Sequence, residues 1–165
     1  MKILFQGDSI TDTGRNTDRG SLLNIGQGYA MICASTLAAK YPNQFSFINR
    51  GISGNRIVDV YARIKADCWN LTPDVLSILI GVNDVWHRYL PDNGRETTDE
   101  QFENNLRAIL SAIKERTSAC LLLMEPFLLE EVDPAKSEMT EELVRKQAIV
   151  RRLGEEYADA YLPLH

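Results

Sequence analysis

Val75-Leu76-Ser77-Ile78-Leu79-Ile80-Gly81-Val82-Asn83-Asp84 is apolar at nearly every position, then breaks into glycine and hydrogen-bonding side chains. Successive side chains of a strand point to opposite faces, so an unbroken apolar run needs both faces covered. A parallel sheet flanked by helices supplies that cover. Four further runs read as strands: Ile3–Gln6, Phe45–Asn49, Ala119–Met124 and Ala160–Leu164. Amphipathic segments lie between them. Gly28 to Lys40 is rich in Ala, Met and Leu. Arg56 to Trp69 puts Ile57, Val60, Tyr61 and Ile64 on one face. Asp99 to Arg116 spaces Phe102, Leu106, Ile109 and Ile113 by threes and fours, with Thr97 and Glu100 as its capping box. Glu138 to Ala158 does the same with Leu143, Val150, Leu153 and Tyr157. Asp92 to Arg95 and Glu130 to Lys136 read as polar loops.

Strands alternating with helices make a three-layer α/β/α sandwich around a five-stranded parallel sheet. Right-handed crossovers give the strand order 2-1-3-4-5. In such a sheet the ligand lies beyond the carboxyl ends of the strands, so the residues just after each strand matter most. No helix follows the fifth strand run. Residues 1–165 are therefore expected to form one domain with its last helix missing and its C-terminal side incomplete.

The 165 residues suit a single core; 44% are apolar and 25% charged, as in ordinary globular chains. A net charge of −5 without a basic stripe argues against nucleic acid and anionic membrane as partners. No run approaches the roughly 18 apolar residues of a membrane span, and the start is too short in apolar residues for a signal peptide. Cys33, Cys68 and Cys120 are odd in number and widely spaced, which predicts free, mostly buried thiols in a reducing compartment. A cytoplasmic location is the expectation.

The strand ends carry the polar residues. Gly7-Asp8-Ser9-Ile10-Thr11-Asp12 follows the first strand, Asn49-Arg50-Gly51-Ile52-Ser53-Gly54-Asn55 the second, and Gly81-Val82-Asn83-Asp84 the third. A serine at such a point is a candidate nucleophile, provided a base takes its proton. Attack on an ester carbonyl creates an oxyanion, which needs waiting donors. The backbone N–H of Ser9, the backbone N–H of Gly54 and the side-chain amide of Asn83 qualify. The bland alternatives are a helix cap for Ser9, a turn for Gly54 and a cap pair for Asn83-Asp84. Asp8 and Asp84 read as supports that hold backbone N–H groups. Trp86 either stacks on a sugar or packs in the core; packing is the commoner fate of a tryptophan, and of Trp69.

These three blocks, in order and each after a strand, resemble the GDSL/SGNH hydrolase family. Gly7-Asp8-Ser9 matches its first block, Gly54 its second-block glycine, and Gly81-Val82-Asn83-Asp84 its third. The wording from Gly7 to Arg15 and from Gly81 to Trp86 is similar to members acting on acetylated sugars. The resemblance implies a flavodoxin-like SGNH hydrolase fold, a serine esterase or lipase without cofactor or metal, and small-molecule ester substrates. It assigns Ser9 as nucleophile and Ser9, Gly54 and Asn83 as oxyanion hole. The family's final block, Asp-x-x-His, has no counterpart before the end at His165. Two histidines stand in by elimination: His165, with no Asp three residues earlier, and His87, in Asp84-Val85-Trp86-His87. The missing helix is expected to expose an apolar face and favour self-association into homo-oligomers. Two other functions compete. One is a non-catalytic carbohydrate-binding remnant. The other is a metal-dependent phosphoryl-transfer domain using Asp8, Asp12 and Asp84, which lacks a Gly-rich loop with Lys.

Overall fold

The computed structural model describes residues 1–17, 24–90, 97–128 and 137–164. The expected loops at 92–95 and 130–136, and His165, lie outside the described residues. Five strands form one sheet: β1 (Lys2–Gly7), β2 (Ser46–Asn49), β3 (Val75–Leu79), β4 (Cys120–Met124) and β5 (Ala160–Leu162). Their order is β2-β1-β3-β4-β5, every neighbouring pair parallel. Both the order and the parallel pairing are as the sequence predicts. Phe5 pairs with Ser77 and Ser77 with Leu122, so side chains of three strands share each face in register.

The helices are α1 (Ser9–Asp12), α2 (Tyr29–Lys40), α3 (Ile57–Asp67), α4 (Val82–Trp86), α5 (Asp99–Arg116) and α6 (Ser137–Tyr157), with 3-10 turns at Trp69–Leu71 and His87–Tyr89. Helices α3, α5 and α6 cover one sheet face. Their Ile57, Val60, Ile64, Phe102, Leu106, Ile109, Ile113, Val150 and Leu153 pack against Leu4, Leu76, Ile78, Leu121 and Leu123. Phe102 is fully buried there, and truncating such a ring costs about 3–5 kcal/mol. Helix α2 covers the other face over β1 and β2, with Ala30 and Ala34 against Ile3 and Phe5. Beyond α2 the same face opens into a groove of about 710 Å³. Ser77, Leu79, Leu122 and Met124 floor it, and Tyr29, Phe127 and Leu162 wall it.

Four local expectations need correction. The capping box of α5 is Thr98 with Gln101, one residue later than Thr97 with Glu100: Gln101 N–H donates to Thr98 Oγ1 and Thr98 N–H to Gln101 Oε1, both at 3.1 Å. Thr97 is instead buried behind the helix start. Tyr61 leaves the apolar face of α3 and is 49% exposed, because Ile57, Val60 and Ile64 already fill the stripe. Helix α3 stops at Asp67; Cys68 caps it, and Trp69 enters the 3-10 turn with its ring beneath Arg116, 4.9 Å away. Only Cys68 is a buried thiol; Cys33 and Cys120 are exposed, since Cys33 lines the open groove beside α2 and Cys120 opens β4 at the sheet margin.

Candidate active site

Strand β1 ends at Gly7, and the chain turns at once into α1. Asp8 is the N-cap of that turn: its Oδ1 accepts from Ile10 N–H at 3.0 Å, and its carbonyl accepts from Thr11 and Asp12. The cap role that Ser9 might have filled thus falls to Asp8. Ser9 is the first helical residue and is exposed. A residue at that position has no intrahelical partner for its N–H. The Ser9 N–H is accordingly uncommitted among the described residues.

The second block folds as a turn from Ile52 to Asn55, closed by Asn55 N–H to Ile52 O at 3.1 Å. Gly54 sits third in the turn at φ +81°, where a side chain is strained. A Cβ added there meets nothing within 4 Å, so dihedral angle rather than crowding calls for glycine. The Gly54 N–H is also uncommitted.

The third block supplies α4, with Asn83 and Asp84 both buried in its first turn. Asn83 Nδ2 donates to the Asn55 carbonyl at 3.1 Å, which leaves its second amide hydrogen for a ligand. Asp84 accepts from Ile57 N–H with both oxygens, at 3.0 and 3.2 Å, and from the Thr97 hydroxyl. Burial pushes its carboxyl up to about 7, against the lowering pull of those bonds and of Lys146 and Arg56. Burial likewise raises Asp8 to about 6, and the bond from Ile10 N–H works against it.

Cross-bonds draw the three blocks together. Ile52 N–H donates to Gly7 O at 3.1 Å, and Ser53 donates to Asp12 Oδ2 through both N–H and Oγ at 2.9 Å. Arg63 reaches from α3 to Asn55 Oδ1 at 2.8 Å, Arg50 O at 2.8 Å and Gly7 O at 3.2 Å. Asn49 donates to Thr11 O at 2.6 Å and Ile25 O at 2.9 Å while accepting from Gly51 N–H. Arg63 was not singled out from sequence, and Asn49 only as the residue that opens the second block. A polar residue closing the second strand, and an arginine beside the apolar stripe of α3, were the available signals.

Other expected residues do not converge. Asp84 makes no bond to His87, which opens the turn after α4, because its carboxylate faces Ile57 and Thr97 instead. The Asp84–His87 pair is therefore not formed, and the Ser9 hydroxyl makes no hydrogen bond to any described imidazole. Asp8, Asp12 and Asp84 are each turned to a different backbone donor. Among the described residues no group of three or more His, Cys, Asp or Glu side chains could hold a metal. Trp86 is half-buried against the cluster of Val85, Met139 and Leu143. Among the described residues no helix is long and apolar enough to cross a membrane.

Comparison with known proteins agrees with this geometry. Residues 5–165 match the GDSL-like lipase/acylhydrolase family. The chain is 36% identical over 162 residues to an acetylxylan esterase of Geobacillus stearothermophilus, covering 94% of this chain and 72% of that relative. The crystal structure of an acetylxylan esterase from the same organism superposes with a TM-score of 0.83 at 33% identity, covering 98% of this chain and 74% of that one. A GDSL-like lipase homologue from Parabacteroides merdae superposes at 0.86 with 38% identity, covering 98% and 75%. With its sheet order, its three strand-end blocks and these matches in accord, the chain belongs to the GDSL-like lipase/acylhydrolase family of ester hydrolases.

Proposed function

We propose that this chain carries the nucleophile and the oxyanion hole of a serine esterase acting on short acyl esters, acetylated sugars foremost. The reading is supported by three uncommitted donors on adjoining blocks, the first block bonded to the second and the second to the third. They are Ser9 N–H, Gly54 N–H and the second amide hydrogen of Asn83. In the reaction a base takes the Ser9 hydroxyl proton as Oγ attacks the ester carbonyl, and the electron pair of the C=O bond moves to oxygen. The three donors receive that oxyanion. The same proton passes to the departing alcohol oxygen as the C–O bond to it breaks, and water then releases the acid from the acyl-serine. Acetylated carbohydrate is favoured because the named relatives are acetylxylan esterases.

A second reading, a carbohydrate-binding site without turnover, draws on the Ser9 hydroxyl, which has no imidazole partner among the described residues. Self-association through the open apolar groove is compatible with both readings. Hydrolysis of p-nitrophenyl acetate by the chain and by Ser9→Ala separates them. Turnover that disappears in Ser9→Ala supports the esterase and makes His165, His87 or a second chain the next target for the base. Turnover unchanged by the substitution removes Ser9 as nucleophile. Absence of turnover together with binding of acetylated xylo-oligosaccharide favours the binding reading.

A further inference from the structure

Lys146 lies on α6 and is completely buried. Its ammonium donates to Thr97 O at 3.0 Å and to Asp99 Oδ1 at 2.5 Å, and it stands 5.6 Å from the centre of the Phe102 ring. Its one carboxylate partner is 40% exposed and shared with Arg145 at 2.8 Å. Burying an ammonium costs several kcal/mol, and an apolar side chain of like volume is often as stable or better. Simple stabilisation is therefore a poor account of this lysine.

What Lys146 holds gives a better one. Thr97, whose carbonyl accepts from the ammonium, brings its side chain beside Asp84, where it helps to hold that carboxyl's pKa down. Asp84 grips Ile57 N–H with both oxygens, and its neighbour Asn83 donates to Asn55 O. Gly54 adjoins Asn55 in sequence. One line of contacts thus runs from α6 through the start of α5 to both outer donors of the oxyanion hole. Lys146 itself approaches neither Ser9 nor Gly54.

We propose that Lys146 is a positioning residue: through Thr97 and Asp84 it fixes the separation of the Asn83 amide from the turn bearing Gly54. The proposal rests on the esterase reading above for its functional meaning, and on the contacts alone for its geometry. A fixed separation matters because donors must already stand where charge develops, and a misplacement of about 1 Å can cost about a hundredfold in rate.

The test uses two variants of the whole chain, Lys146→Met and Thr97→Val. The second breaks the line at the hydroxyl and leaves the ammonium in place, so it still reads if the first fails to fold. Amide exchange by NMR is followed at Ile57, at the Asn83 side chain, and at Leu76 and Leu121 as core references. Exchange at Ile57 is expected to accelerate about tenfold or more in both variants, with the references unchanged. In the same variants Ser9-dependent kcat is expected to fall about tenfold to a hundredfold, with KM within about twofold. Unchanged protection at Ile57 and Asn83, or a loss shared equally by Leu76 and Leu121, would overturn the proposal. Lack of Ser9-dependent turnover in the parent chain counts against the esterase reading instead, and the exchange result then decides the positioning role by itself.

Discussion

Asn83 Nδ2 donates to the carbonyl of Asn55 at 3.1 Å, so the amide assigned to the proposed oxyanion hole is anchored on the turn that bears Gly54. One amide hydrogen is spent on that turn, and the other has no acceptor among the described residues. Removing the side chain as Asn83→Ala loses both. Because the donor acts on charge that develops in the transition state, kcat is expected to fall about 10²–10³-fold with little change in KM. Asn83→Asp, which sets a carboxylate against both acceptors, should fall at least as far. Steady-state kinetics on p-nitrophenyl acetate checks this, and a change confined to KM would place Asn83 outside the oxyanion hole.

Gly54 at φ +81° has open space where a Cβ would go. The cost of Gly54→Ala is therefore conformational alone, about 1–2 kcal/mol. For a chain of this size that is a drop of roughly 2–8 °C in melting temperature by calorimetry. A much larger loss would mean that the added methyl collides with something after all.

Asp84 takes up a proton on folding, since burial raises its carboxyl from 3.8 to about 7. An acid with a raised folded pKa adds stability that is full below its unfolded pKa, near 4, and is lost as pH climbs through the folded one. Asp8, raised to about 6, acts in the same direction over a narrower window. Denaturant unfolding from about pH 5 to about pH 8 should therefore show the parent chain losing stability relative to Asp84→Asn as pH rises. A difference that stays flat across that range would show that Asp84 is ionised in the folded protein throughout.

The groove beside α2 presents Leu122, Met124 and Leu162 to a cavity of about 710 Å³ that Ser9 also lines. An apolar dye such as anilinonaphthalene sulfonate is expected to fluoresce on the folded chain. Leu122→Glu, which brings a carboxylate onto the groove floor, should abolish the signal with the circular dichroism of the fold unchanged. Fluorescence indifferent to that substitution would place the dye elsewhere.

Much of this molecule was legible in the sequence because its information is local. The run Val75–Ile80 could be a doubly covered strand and little else, and each chemical block stands immediately after a strand end. Asp99 to Arg116 was right to the residue, since four apolar side chains repeat at helical spacing. What escaped was set by long-range partners. Lys146 interrupts the apolar stripe between Leu143 and Val150, but no periodicity says that Thr97, 49 positions earlier, receives its ammonium. Likewise the spacing of Asp84 and His87 suggested a pair. Only the folded chain shows the carboxylate turned toward Ile57, 27 positions away.

The half-covered sheet also has a thermal consequence. The heat capacity of unfolding comes chiefly from apolar surface newly exposed to water. Side chains such as Leu162, already 42% exposed while the chain is folded, add correspondingly less new surface on unfolding. The increment per residue should then fall below the usual value of about 12–15 cal/mol/K. A smaller increment flattens the stability curve, so the fold would change little in stability across ambient temperatures.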